Sequence, residues 1–95
     1  MIINNLSFKL KDRSSGNIAK AKQVLLGMQG KIEYLRDLKV EVNIRPGEAA
    51  YDLLMMAQYD CMEDLEAYIV HPVHVEVAKY MAGVLETVAA VCYEC

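Results

Sequence analysis

Ninety-five residues with a net charge of −3 make one domain that can hold a core with little to spare, and a 55% apolar content is high for a small monomer, so a partner covering part of the apolar surface is expected. The mild charge and the scattered lysines (Lys9 and Lys11, then Lys20 and Lys22) exclude a nucleic-acid footprint, and no apolar run approaches the about 18 residues of a membrane span. The opening Met1-Ile2-Ile3-Asn4-Asn5 lacks the basic start and cleavage site of a signal peptide, so a cytoplasmic location is expected.

Residues 2–11 alternate, with Leu6, Phe8 and Leu10 on one side and Ser7, Lys9 and Lys11 on the other, as in a half-buried strand. Asn4 shares parity with the apolar set. A polar loop at 12–17 supplies capping residues for a helix predicted over 18–28, where Ile18, Ala21, Val24, Leu25 and Met28 form one face. Gly27 and Gly30 end it, and residues 31–37 read as an irregular connection. Alternation of Leu38, Val40, Val42 and Ile44 predicts a second strand, broken by Arg45-Pro46-Gly47-Glu48.

A third strand is expected over 51–59, and it is apolar on both faces. Tyr51, Leu53, Met55 and Ala57 line one side, while Leu54 and Met56 line the other. A strand of this kind must be covered on both sides. Leaving Leu54 and Met56 wet forfeits about 1.5–3 kcal/mol each, so a second copy of the chain is expected on that face. Asp60-Cys61-Met62-Glu63 offers a helix start, with the helix stopping near Pro72. A second helical stretch over 73–81 and a Val- and Ala-rich strand over 87–93 complete the chain. The order strand, helix, strand, strand, helix, strand implies an α+β fold, a ferredoxin-like antiparallel four-stranded sheet with helices on one face.

Three cysteines include Cys92-Tyr93-Glu94-Cys95, at the end of a strand rather than at the helix start that a redox pair favours. A zinc site would want two more ligands nearby, so reduced thiols are expected. Both histidines lie in Tyr68-Ile69-Val70-His71-Pro72-Val73-His74. His71 and His74 have a spacing a helix could use for a metal, but Pro72 interrupts any helix there, and no metal site is expected. His71, preceding a proline, is read as structural, bonding a carbonyl freed at the helix break. His74 suits either a ligand contact or a satisfied structural role, and Tyr68 either core or catalysis.

Phe8-Lys9-Leu10-Lys11-Asp12, Ala50-Tyr51-Asp52-Leu53, Asp64-Leu65-Glu66-Ala67-Tyr68, the Tyr-x-x-His-Pro-x-His run and Ala90-Val91-Cys92-Tyr93-Glu94 together give a pattern that resembles the stress-responsive A/B barrel (Dabb) family over nearly the whole chain. The resemblance implies a single Dabb domain over residues 1–95 and a ferredoxin-like homodimer whose two sheets form a dimeric α+β barrel. Many bacterial members have no known activity. A plant branch includes a polyketide cyclase that closes an aromatic ring by aldol condensation, and by resemblance its catalytic tyrosine and histidine fall on Tyr68 and His74. The chain departs from related proteins at Asn4, where a histidine on the first strand is common. An amide can orient a carbonyl but cannot shuttle a proton near neutral pH. Haem-degrading monooxygenases of a related barrel architecture use an Asn, a Trp and a His together, and this chain has no Trp.

Three functions follow as alternatives. One is an uncharacterised, stress-associated homodimer with a small-molecule cavity between helices and sheet, where Asn4 and His71 contact a small apolar or phenolic ligand. Another is a cofactor-free cyclase or lyase acting on a polyketide-like carbonyl substrate, with His74 as base and Tyr68 as hydrogen-bond donor. The last is a structural role with the cavity packed shut. None requires a metal or cofactor.

Overall fold

The computed structural model describes residues 1–95. Its elements are β1 (Ile2–Leu10), α1 (Ser15–Leu26), β2 (Asp37–Val42), β3 (Leu53–Tyr59), α2 (Met62–Ile69), α3 (Pro72–Val84) and β4 (Leu85–Glu94). The four strands form one antiparallel sheet in the order β2-β3-β1-β4, the ferredoxin-like arrangement expected from the sequence. The three helices lie on one face.

Period-two alternation sends Ile2, Phe8, Leu10, Leu53, Met55, Ala57, Leu38 and Val40 to the helix side, where all are buried. They meet Ala21 and Leu25 of α1, Leu65 and Tyr68 of α2 and Met81 of α3 in one core. The other face carries Leu54, Met56, Val91 and Tyr93 with no helix over them. Leu54 is 38% exposed, Val91 65% and Tyr93 50%. β4 is exposed from Glu86 to Glu94, and only Leu85, where it leaves α3, is partly buried.

Element boundaries differ from the sequence reading where side chains, rather than apolar period, decide them. α1 begins three residues earlier than its apolar face, because the Ser14 hydroxyl accepts from the Asn17 N–H and caps the helix there. Gly30, at φ +81°, supplies the left-handed turn that redirects the chain after Met28. β2 stops at Val42 rather than Ile44: the Asn43 side-chain carbonyl accepts from the Arg45 N–H at 2.7 Å, an Asx turn that diverts the backbone and leaves Ile44 exposed. α3 runs to Val84, three residues past the expected end, and passes directly into β4.

A buried carboxylate fixes the edge of this layer. Asp52, 6% exposed, accepts from the Leu10 N–H and from Arg13 Nε, both at 2.9 Å. The rest of the Arg13 guanidinium donates to the carbonyls of Gly47 and Ala50. One pair therefore ties the end of β1 to the long loop before β3. Asp52→Ala leaves the buried Leu10 N–H and the Arg13 Nε–H without acceptors and removes the carboxylate that balances the guanidinium, and a loss of about 2–4 kcal/mol is expected in urea denaturation. An unchanged midpoint would contradict the clamp.

Candidate functional site

The site is built around an interrupted helix. Pro72 has no N–H to donate, so the turn ending α2 cannot continue into α3. The His71 N–H instead closes on the Tyr68 carbonyl at 3.1 Å, and the chain restarts with Pro72 at the first position of α3, where a missing N–H costs nothing. Interruption leaves backbone groups at both new ends that need partners. The two histidines supply them.

His71 sits at the N-cap. Its Nδ1 accepts from the Val73 N–H at 3.1 Å, and its Nε2 lies 3.3 Å from the Glu33 carboxylate. With Nδ1 occupied as an acceptor, the neutral ring carries its proton on Nε2 and donates toward Glu33. His74 takes the role the sequence suggested for His71: its Nδ1 lies 2.8 Å from the Ile69 carbonyl, freed at the end of α2. A carbonyl only accepts, so Nδ1 carries the proton of the neutral ring, and Nε2 keeps its lone pair.

His74 then faces a cavity of about 350 Å³ between the sheet and helices α1 and α3. Fifteen residues line it, of which thirteen are hydrophobic, and none is Lys, Arg, Asp or Glu. Asn4 and Tyr68 line the same cavity, Asn4 from the centre of the sheet and Tyr68 from the last turn of α2. The Tyr68 and His74 rings are stacked at an angle, with centroids 4.4 Å apart. Three of the four residues singled out from the sequence thus share one chamber. His71 does not line it: expected as a ligand contact, it is engaged by the helix cap and Glu33.

Two participants were not visible in the sequence. The Tyr68 hydroxyl donates to Met28 Sδ at 3.6 Å, a weak acceptor. Behind Tyr68 lies Tyr59, fully buried, its ring centroid 5.0 Å away and its hydroxyl without a hydrogen-bond partner. Strand parity places Tyr59 on the helix side, but nothing in the pattern distinguishes it there from Phe. Burial pushes both phenols above the ordinary tyrosine range, so each is a neutral donor at physiological pH.

The chamber accordingly suits an uncharged molecule with an apolar body and one polar end. No Lys, Arg, Asp or Glu in the lining stands ready to neutralise a charged ligand. Cys92 and Cys95 play no part in it, and three residues along a strand separate them by about 10 Å, beyond disulfide reach. No helix is long and apolar enough to cross a membrane.

Comparison with known proteins adds a family and a set of folds. The family model described as Stress responsive A/B Barrel Domain (Dabb) matches residues 5–95. A dimeric protein of unknown function and ferredoxin-like fold from Bacteroides fragilis is 27% identical, with a TM-score of 0.84 and 99% of this chain and 95% of that one covered. An Arabidopsis thaliana protein is 21% identical at a TM-score of 0.86, covering 100% and 95%. The hydroxynitrile lyase of Passiflora edulis is 14% identical at 0.83, covering 97% and 90%. The last two likenesses concern the fold alone. Curated proteins gave no match.

The raised phenols make an alkaline prediction. Their folded values lie above the unfolded value of about 10, so their contribution is complete below that pH. Above it, the unfolded chain sheds protons that the folded chain keeps, and stability falls as pH rises. Urea midpoints between about pH 8 and 11 should fall above pH 10, and the double substitution Tyr59→Phe, Tyr68→Phe should flatten that fall. An equal slope in the double variant would count against it.

Proposed function

This chain belongs to the stress responsive A/B barrel domain family, and we propose that it acts as a homodimer holding a small, uncharged, largely apolar ligand against Tyr68 and His74. The observation that carries this reading is the convergence of Asn4, Tyr68 and His74 in a chamber that is otherwise hydrophobic and has no charged lining. An apolar pocket with a few convergent polar groups is the usual form of a small-molecule site. Asn4 offers both an amide donor and a carbonyl acceptor, Tyr68 a donor, and His74 an acceptor at Nε2.

Dimerisation is supported by the uncovered face of the sheet. Leu54, Val91 and Tyr93 are all exposed there, and the Bacteroides fragilis relative is described as dimeric. A second copy would return these side chains to an apolar setting, which the helices cannot do from the other side.

A second reading is a cofactor-free cyclase or lyase for a carbonyl substrate, and the His74 tautomer favours it. Nε2 would take a proton from the carbon beside a carbonyl, and Tyr68 would donate a hydrogen bond to the enolate oxygen as charge develops. The same fold serves the Passiflora edulis hydroxynitrile lyase. Asn4 would orient the carbonyl without exchanging a proton.

A thermal-shift screen against phenols, diketones and short acyl compounds tests the binding reading. Stabilisation by at least one uncharged member is expected, with the shift lost in His74→Ala. A flat response across the panel would favour a packed interior and a structural role. For the dimer, light scattering at micromolar concentration should give a mass of two chains, and Leu54→Lys one chain or insoluble protein. A Leu54→Lys variant that stays fully dimeric would move the interface elsewhere.

A further inference from the structure

Tyr59 is the one side chain whose polar atom is buried without any partner. Phe would pack in the same place and avoid the desolvation of that hydroxyl, so packing alone gives no reason for the oxygen. Its surroundings do. Tyr59 is 0% exposed and lies next to Tyr68, the donor of the chamber, with the rings inclined at 57°. Tyr68 spends its own proton on Met28 Sδ, a poor acceptor that any carbonyl oxygen would displace.

We propose that Tyr59 is a positioning residue for Tyr68: when Tyr68 turns its hydroxyl from Met28 Sδ to a ligand carbonyl, Tyr59 donates to Tyr68 Oη and holds it there. The inference rests on the cavity being a ligand site. It adds a selectivity that the lining alone lacks. Each phenol in such a chain polarises the next, so the pair binds an acceptor more strongly than a lone tyrosine would. Ligands with a carbonyl gain from the pair, and hydrocarbons of the same shape do not. The empty site keeps one unpaired hydroxyl, and a carbonyl ligand lets it be satisfied.

The test compares butyrophenone with butylbenzene, which replaces the carbonyl by a methylene, in NMR titrations of wild type, Tyr59→Phe and Tyr68→Phe. Wild type should prefer the ketone. Tyr59→Phe should weaken ketone binding by about three- to tenfold, leave butylbenzene unchanged and melt no lower than wild type. Tyr68→Phe should weaken the ketone at least as much. Unchanged ketone affinity in Tyr59→Phe, with Tyr68→Phe still impaired, would overturn the role of Tyr59 and leave the cavity reading standing. Equal weakening of both compounds together with a lower melting temperature would make Tyr59 a packing residue. Equal binding of both compounds by wild type would overturn this inference and leave an apolar ligand site standing, whereas binding of neither would remove the cavity reading and this inference with it.

Discussion

The missing amide hydrogen of Pro72 is the constraint from which the site follows. An unbroken helix would carry Tyr68 and His74 six residues apart on largely different faces, since six residues turn it through about 600°. The break allows α2 and α3 to take independent directions, and both side chains reach one chamber. It also exposes a carbonyl and an N–H, which the two histidines take up separately. The tautomer of each ring is thus set by the backbone defect beside it.

The same constraint makes the two histidines unequal, although the sequence offers them as a pair. His71 has both nitrogens committed, one to the helix and one to Glu33. His74 has one nitrogen committed and one free. Their difference is a matter of which side of Pro72 each occupies. The residue before proline is held extended and so becomes an N-cap, whereas the residue two after it lies in the first turn.

Most of the architecture was legible because burial is periodic. Alternation located the first two strands, Val and Ala content the last, and the doubly apolar stretch Leu53–Tyr59 marked both the third strand and the sheet face that lacks helices. Element ends were less legible: Ser14 starts α1 and Asn43 stops β2 through single hydrogen bonds that leave no trace in apolar spacing. The site divides in the same way. Tyr68, His74 and Asn4 stood out through motif and parity, but the uncapped hydroxyl of Tyr59 and the sulfur of Met28 did not. A phenol and a phenyl read alike in a hydrophobic pattern, and only the surrounding atoms distinguish them.

The sheet order carries one more consequence. β1 lies in the interior of the sheet, with Ile2 opposite Tyr59 on one side and opposite Glu94 on the other. Both neighbours are distant along the chain, the second almost as distant as the chain allows. Closing such long loops is the slow part of folding. During synthesis the strand made first waits longest for its flanks, exposing Ile2, Leu6, Phe8 and Leu10 without a ladder in the meantime. The early chain is thus the segment most in need of shielding from its own kind.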